Sequence, residues 1–151
     1  MLARAYVYLD HTFGEVEAVF AGPPQRWLAG LDGDSGEELL ARVGIELRGL
    51  QVYRHVRLSV GSAARLADGG TTIPIAWHPS NGEALLPGLQ GTLDIEAFGQ
   101  RTQLTLNANY MPPLGWLGEA ANRLLLYRLA DATVHDFVHR VAGNVERELA
   151  T

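Results

Sequence analysis

A chain of 151 residues, 47% hydrophobic and 19% charged, is long enough for one packed core and too apolar to stay unfolded. Its formal charge of −5 argues against a general nucleic-acid binder, which usually presents a basic surface, and the lack of cysteine excludes disulfides, thiol catalysis and cysteine-based metal centres. All 12 basic residues are arginine, a bias that fits GC-rich coding, so no arginine stands out by its type alone. No apolar run approaches the roughly 18 residues of a membrane span, and Met1 to Tyr6 has no signal-peptide core. These features read as one cytoplasmic domain, 1–151, with no stable membrane insertion.

Arg4 to Asp10, rich in Tyr, Val and Leu, reads as a first strand. Thr12 and Glu15 then have the spacing of a capping box, in which each side chain serves the other's free backbone N–H. The short helix that follows should bury Val16, Val19 and Phe20 and stop by Gly22-Pro23-Pro24. A second short helix is expected over Gln25 to Leu31, with Trp27 and Leu28 or Leu31 inward. Asp32 to Gly36 reads as a turn.

Leu39 to Leu47 is expected as a strand despite poor alternation. Val52 to Val60 alternates cleanly, with Val52, Val56, Leu58 and Val60 on one face and Arg54 the single charge among them. Asp68-Gly69-Gly70 is a hairpin signal. Thr71 to Trp77 groups Ile73, Ile75 and Trp77, and Pro74 predicts a bulge or a sheet edge. Leu89 to Phe98 should turn Leu89, Leu93, Ile95 and Ala97 inward; after Phe98 to Arg101 turns the chain, Thr102 to Tyr110 should do the same with Leu104, Leu106, Ala108 and Tyr110. Successive strands with one polar face predict an antiparallel sheet covered on one side.

The cover is the long stretch Trp116 to Leu149, about nine helical turns without proline. At 100° per residue, Trp116, Ala120, Tyr127, Ala130, Val134, Val138, Val141, Val145 and Leu149 fall on one face. The expected fold is α+β: a curved antiparallel sheet gripping a long C-terminal helix, with two short helices between strands 1 and 2 and a pocket between sheet and helix.

This order of elements, with Tyr110-Met111-Pro112-Pro113-Leu114-Gly115 leading into Trp116-Leu117-Gly118 and with Ala132-Thr133-Val134-His135-Asp136-Phe137 later, resembles the helix-grip fold of the START/Bet v 1-like (SRPBCC) superfamily, in particular its small bacterial polyketide cyclase/dehydrase-like and lipid-transport members. The resemblance covers the chain at the level of element order, and its short motifs speak for fold rather than activity. It implies an apolar cavity between the concave sheet and the N-terminal half of the helix. Relatives use that cavity for lipids, sterols, polyketides, quinones or plant hormones, and a few catalyse cyclisation or dehydration. The shortened connection before strand 2 and the Pro74 interruption depart from the pattern.

Six residues are candidates for polar contacts in such a cavity: Arg54, Trp77, Tyr110, Arg123, Tyr127 and Asp131. Arg54 either snorkels at the sheet rim, the commoner arrangement, or meets a ligand's anion or carbonyl, because an unpaired buried guanidinium is very costly. Trp77 and Tyr110 are large amphipathic groups at strand ends, suited to core packing or to closing a pocket. Arg123, Tyr127 and Asp131 recur at i, i+4 and i+8, either as an intrahelical network or as a polar strip for a ligand's oxygens, with Asp131 farthest from the centre of the face.

His135 and His139, with Asp136 after the first, imitate the zinc-protease pattern, but Asp is short for its general base and the pair points away from the apolar face. They read as a solvated face, and no metal is expected. His55 and His78 fall on polar sides of their strands unless Pro74 shifts the register and turns His78 inward. No phosphate-cradling loop or nucleophile elbow is present, so no cofactor and no catalytic residue are assigned. The favoured function is a binder or carrier of a small hydrophobic molecule. The alternatives are a polyketide cyclase or dehydratase in the same cavity, with Asp131 or a shifted His78 as the only bases, and a protein-interaction module. Self-association, a homodimer included, is left open by the sequence.

Overall fold

The computed structural model describes residues 2–28, 32–35, 38–47, 50–79, 88–111 and 123–151. β1 (Leu2–Leu9) leads to α1 (Phe13–Ala21) and α2 (Pro24–Trp27), then to β2 (Asp32–Ser35), β3 (Glu38–Leu47), β4 (Leu50–Val60), β5 (Ala64–Arg65), β6 (Thr71–Pro79), β7 (Gly88–Phe98), β8 (Arg101–Met111) and α3 (Arg123–Leu149). The strands form one antiparallel sheet in the order β1-β8-β7-β6-β4-β3-β2, with β5 added beside β6.

α1 forms as its sequence dictates. The Thr12 hydroxyl caps it by accepting from the Glu15 N–H at 3.4 Å, and Val16, Val19 and Phe20 are its buried face. Only half of the expected capping box is made. The Glu15 carboxylate goes instead to the His11 imidazole, whose Nδ1 is 3.1 Å away. α2 is shorter than expected, a single turn started by Pro24, with Trp27 and Leu28 buried beneath it; Leu31 lies outside the described residues.

Two expectations about the sheet are corrected. Asp32 to Ser35 is an edge strand rather than a turn, paired to β3 with a register shift between Asp32 and Asp34. Backbone pairing of that kind needs no apolar side chain, so a polar sequence hides it. Ala97 is exposed rather than inward, since it stands one rung from the end of the hairpin that turns at Gly99. That turn is a two-residue hairpin in which Gly99 takes φ 61°, open to glycine without strain.

Pro74 sits in the interior of the sheet and makes no bulge. β6 pairs with β7 in an unbroken register from Thr71 opposite Ile95 to Trp77 opposite Leu89. On its other side, β4 has ended and β5 has not yet begun. There the Pro74 carbonyl accepts from the Gly61 N–H at 2.8 Å, so the side on which proline has no N–H to offer is a local edge. The register with β7 is unbroken as far as Trp77, and the side chain of His78 lies outside the described residues.

α3 lies against β1, β8 and β3. β1 and β3 are separated in the sheet by β8, β7, β6 and β4, so one straight helix can reach both only if the sheet curls around it. Ala130, Val134, Val138, Val141 and Val145 are buried, as the helical wheel predicts. Asn144 is buried too, and its amide donates to the Trp27 carbonyl at 3.0 Å, tying α3 to α2. Residues 112–122, with Trp116 and Ala120, lie outside the described residues. Among the described residues no helix is long and apolar enough to cross a membrane.

Candidate functional site

The concave face of the sheet is built in cross-strand rows. One row runs Leu58 (β4), Trp77 (β6), Leu89 (β7) and Tyr110 (β8), each opposite the next in register. Leu58, Trp77 and Leu89 are all buried. Trp77 stacks on Phe137 of α3, ring centroids 5.0 Å apart at 50°, so this row is where sheet and helix meet.

The Trp77 indole is fully buried, and its Nε1–H has no hydrogen-bond partner among the described residues. A buried donor of this kind costs about 1–3 kcal/mol if it stays unpaired. It is the polar feature on the concave face that calls for an oxygen or nitrogen acceptor. Trp27 carries a second unpartnered indole N–H, but it stands beside Phe20, beneath α1 and α2.

The structure brings some of the six candidates together. The shared row places Trp77 and Tyr110 two strand spacings apart, about 10 Å. Arg54 is opposite Val43, on a part of β4 that runs past the last β6 partner at Val56. It therefore stands on an overhang of the sheet, paired only with β3 among the described residues. The side chains of Arg54, Tyr110 and Arg123 lie outside the described residues. Arg123 begins the described part of α3.

Tyr127, expected on the buried face of α3, is corrected to the surface, and Asp131, expected farthest from the centre of that face, lies outside it. Tyr127 is 54% exposed and Asp131 is exposed as well. Tyr127 is within about 20° of Val134 on the helical wheel, so rotation does not explain its exposure. Its position along the axis does: burial of this face sets in at Ala130, one turn later. Asp131 is turned off the centre of the face.

Two residues that periodicity did not select also line this interface: Phe137, against Trp77, and the buried Thr133. Both flank the valine stripe, and treating the apolar face as a wider arc would have included them. No Asp, Glu, His or Arg is buried among the described residues. Among the described residues the interface therefore offers packing surface and hydrogen-bond groups and no buried acid or base.

His135 and His139 are exposed, their rings 4.1 Å apart, and His139 Nδ1 is 2.9 Å from the His135 carbonyl oxygen. Asp136 is in an i, i+4 ion pair with Arg140 at 3.9 Å. This is a solvated helix face, as its angle predicts.

No family model matches the chain, and no curated protein matches it. Solved structures do. A conserved protein from Geobacillus kaustophilus aligns with a TM-score of 0.58 at 14% identity, over 98% of this chain and 97% of that one. The ZhuI aromatase/cyclase from Streptomyces sp. R1128 aligns with a TM-score of 0.57 at 15% identity, over 99% and 95%. A protein of Thermus thermophilus aligns with a TM-score of 0.54 at 14% identity, over 98% and 99%. At such identities the likeness is one of fold. Its full-length span, the strand order and the helix held within a curled sheet all agree: this chain has a helix-grip fold.

Proposed function

We propose that this protein binds or carries a small hydrophobic molecule, lipid-like or aromatic, between the concave sheet and the N-terminal half of α3. Arg54, Trp77, Tyr110, Arg123, Tyr127 and Asp131 are its polar contacts, the last two from the exposed mouth. The observation that carries this reading is the buried, unpartnered indole N–H of Trp77 at the sheet–helix interface. A carbonyl or hydroxyl oxygen on an otherwise apolar ligand would satisfy it.

Native mass spectrometry of the purified protein, before and after denaturation with organic extraction, tests the reading. The expected result is a retained apolar molecule that is released on unfolding. A protein that arrives empty, and takes up neither fatty acids nor hydroxylated naphthalenes after extraction, would sink it.

Replacing Arg54 by Met should weaken an anionic or carbonyl-bearing ligand about 10- to 100-fold, the range for losing a charged hydrogen bond. Unchanged affinity in a titration would remove Arg54 from the site.

Likeness to an aromatase/cyclase favours a second reading, cyclisation or dehydration of a polyketide-like substrate in the same cavity. Tyr110 or Tyr127 would donate the proton, and Arg54 or Arg123 would stabilise an enolate. This reading ranks second because Asp131, the carboxylate it would use as base, is exposed to solvent. Conversion of a poly-β-ketone substrate analogue to a cyclised product would promote it.

A further inference from the structure

A second cleft opens on the α1 side of the sheet, about four residues along β6 from Trp77, or roughly 13 Å at the rise of a strand. It encloses about 190 Å³ and is lined by Glu17, Phe20 and Ala21 of α1, by Arg65 of β5 and by Thr71 and Ile73 of β6. Phe20, Ala21 and Ile73 make an apolar floor, and the polar groups stand along one wall. A dry apolar cavity of roughly 150 Å³ is enough for benzene, whereas drug-sized ligands need roughly 300 Å³ or more. The cleft is therefore of single-ring size.

Its polar wall is held unevenly. The Glu17 carboxylate is pinned by the hydroxyl of buried Thr71, which donates to Oε2 at 3.0 Å. Arg65 reaches the same carboxylate only at 3.5 Å, from each of two guanidinium nitrogens, and its side chain is 63% exposed. A charge-assisted pair in good contact lies at about 2.7–2.9 Å. Arg65 also donates to the Gly69 carbonyl at 3.2 Å, a bond independent of Glu17, so Glu17 is the fixed acceptor and its contact with Arg65 the weaker of its two.

The charge of the lining is balanced while Arg65 is in place and negative once it leaves. Within the cleft lining, Glu17 and Arg65 carry one charge each; Asp68 lies outside the lining in the turn between β5 and β6, where it accepts from the Gly70 N–H at 3.0 Å, and the whole chain carries −5. With Arg65 displaced, Glu17 and the chain's net negative charge favour a cation over an anion.

The geometry points to a binding site for a small primary amine with a ring-sized apolar body. The ammonium takes the place of Arg65 on the Glu17 carboxylate, and the hydrocarbon rests on Phe20 and Ile73. Arg65 swings out to solvent, which its exposure allows. This site is separate from the sheet–helix interface and does not depend on what that interface binds.

Calorimetric titration with benzylamine into the millimolar range tests it, with benzyl alcohol and benzoate as controls of the same shape. Benzylamine is expected to bind and both controls to bind more weakly. Glu17→Gln, which keeps an acceptor for Thr71, should weaken benzylamine about 10- to 100-fold. Arg65→Met, which keeps the aliphatic stem and removes the competing charge, should tighten it about 2- to 5-fold, the worth of an exposed ion pair. Absence of benzylamine binding, equal binding of benzyl alcohol, or preference for benzoate each overturns the assignment. So does an Arg65→Met protein that binds benzylamine no better than the parent, a result that does not hinge on whether Glu17→Gln folds.

Discussion

Replacing Gly91 by alanine is expected to lower the thermal midpoint by about 6–12 °C, the equivalent of about 3 kcal/mol in a domain of this size. Gly91 lies on β7 opposite Ile75 and Ala108, and Ala108 is in turn opposite Ala3 on β1. A Cβ added at Gly91 would stand 2.0 Å from the Asn107 carbonyl oxygen and 2.7 Å from the Ala108 Cα. Both obstacles are backbone, so no rotamer change relieves them, and β7 and β8 would have to separate. The ordinary cost of overfilling a core is about 1–3 kcal/mol, and a clash with main chain belongs at the top of that range. Calorimetry or circular dichroism on heating would decide. A midpoint within about 2 °C of the parent would mean that the two strands separate at little cost.

Trp77 gives the second large effect, and two substitutions separate its roles. Trp77→Ala should cost about 3–5 kcal/mol by opening a cavity against Leu58, Leu89 and Phe137. Trp77→Phe keeps a ring in that space and removes the buried N–H. The lost volume destabilises, the loss of an unpaired donor stabilises by about 1–3 kcal/mol, and the net change should stay within about 1–2 kcal/mol. Ligand affinity should nonetheless fall about 3- to 10-fold, the worth of one neutral hydrogen bond. Urea unfolding measures the first quantity and titration of the extracted ligand measures the second. A Trp77→Phe protein that binds as tightly as the parent would show that the indole N–H does not meet the ligand.

Long periodic segments were legible in the sequence because burial writes its own period. The valine stripe from Val134 to Val145 and the alternation through Leu89, Leu93 and Ile95 both lie where those patterns place them. Thr12 announced the start of α1, since a hydroxyl before a helix has one obvious use. β2 was illegible for the opposite reason: Asp-Gly-Asp-Ser carries no apolar pattern, and its pairing with β3 uses only main-chain groups. Pro74 announced an edge but not how small an edge suffices, the two positions Ile73 and Pro74 between the partners of β4 and β5.

The candidate site was less legible than the fold. Trp77 and Tyr110 could be named from strand parity, but their common row depends on the pairing of β6, β7 and β8. Tyr127 shows the limit of angular reasoning. A wheel gives direction around the axis and says nothing about where along it the sheet begins to cover the helix. The cleft of Glu17, Arg65 and Thr71 joins residues up to 54 positions apart, and none of them stands out in its own segment.

What the sequence determined by itself is the order of the long elements, the apolar face of the long helix and of the strands that alternate, and an α+β architecture with a sheet gripping a terminal helix. These follow from local periodicity and from the need to bury each apolar face against another. What only the tertiary structure decided is the register that aligns Trp77 with Tyr110, the end of coverage that leaves Tyr127 in solvent, the unpartnered indole, and the second cleft. Each of these depends on which atoms of distant segments come within a few ångströms of one another, and a one-dimensional pattern holds no record of that distance.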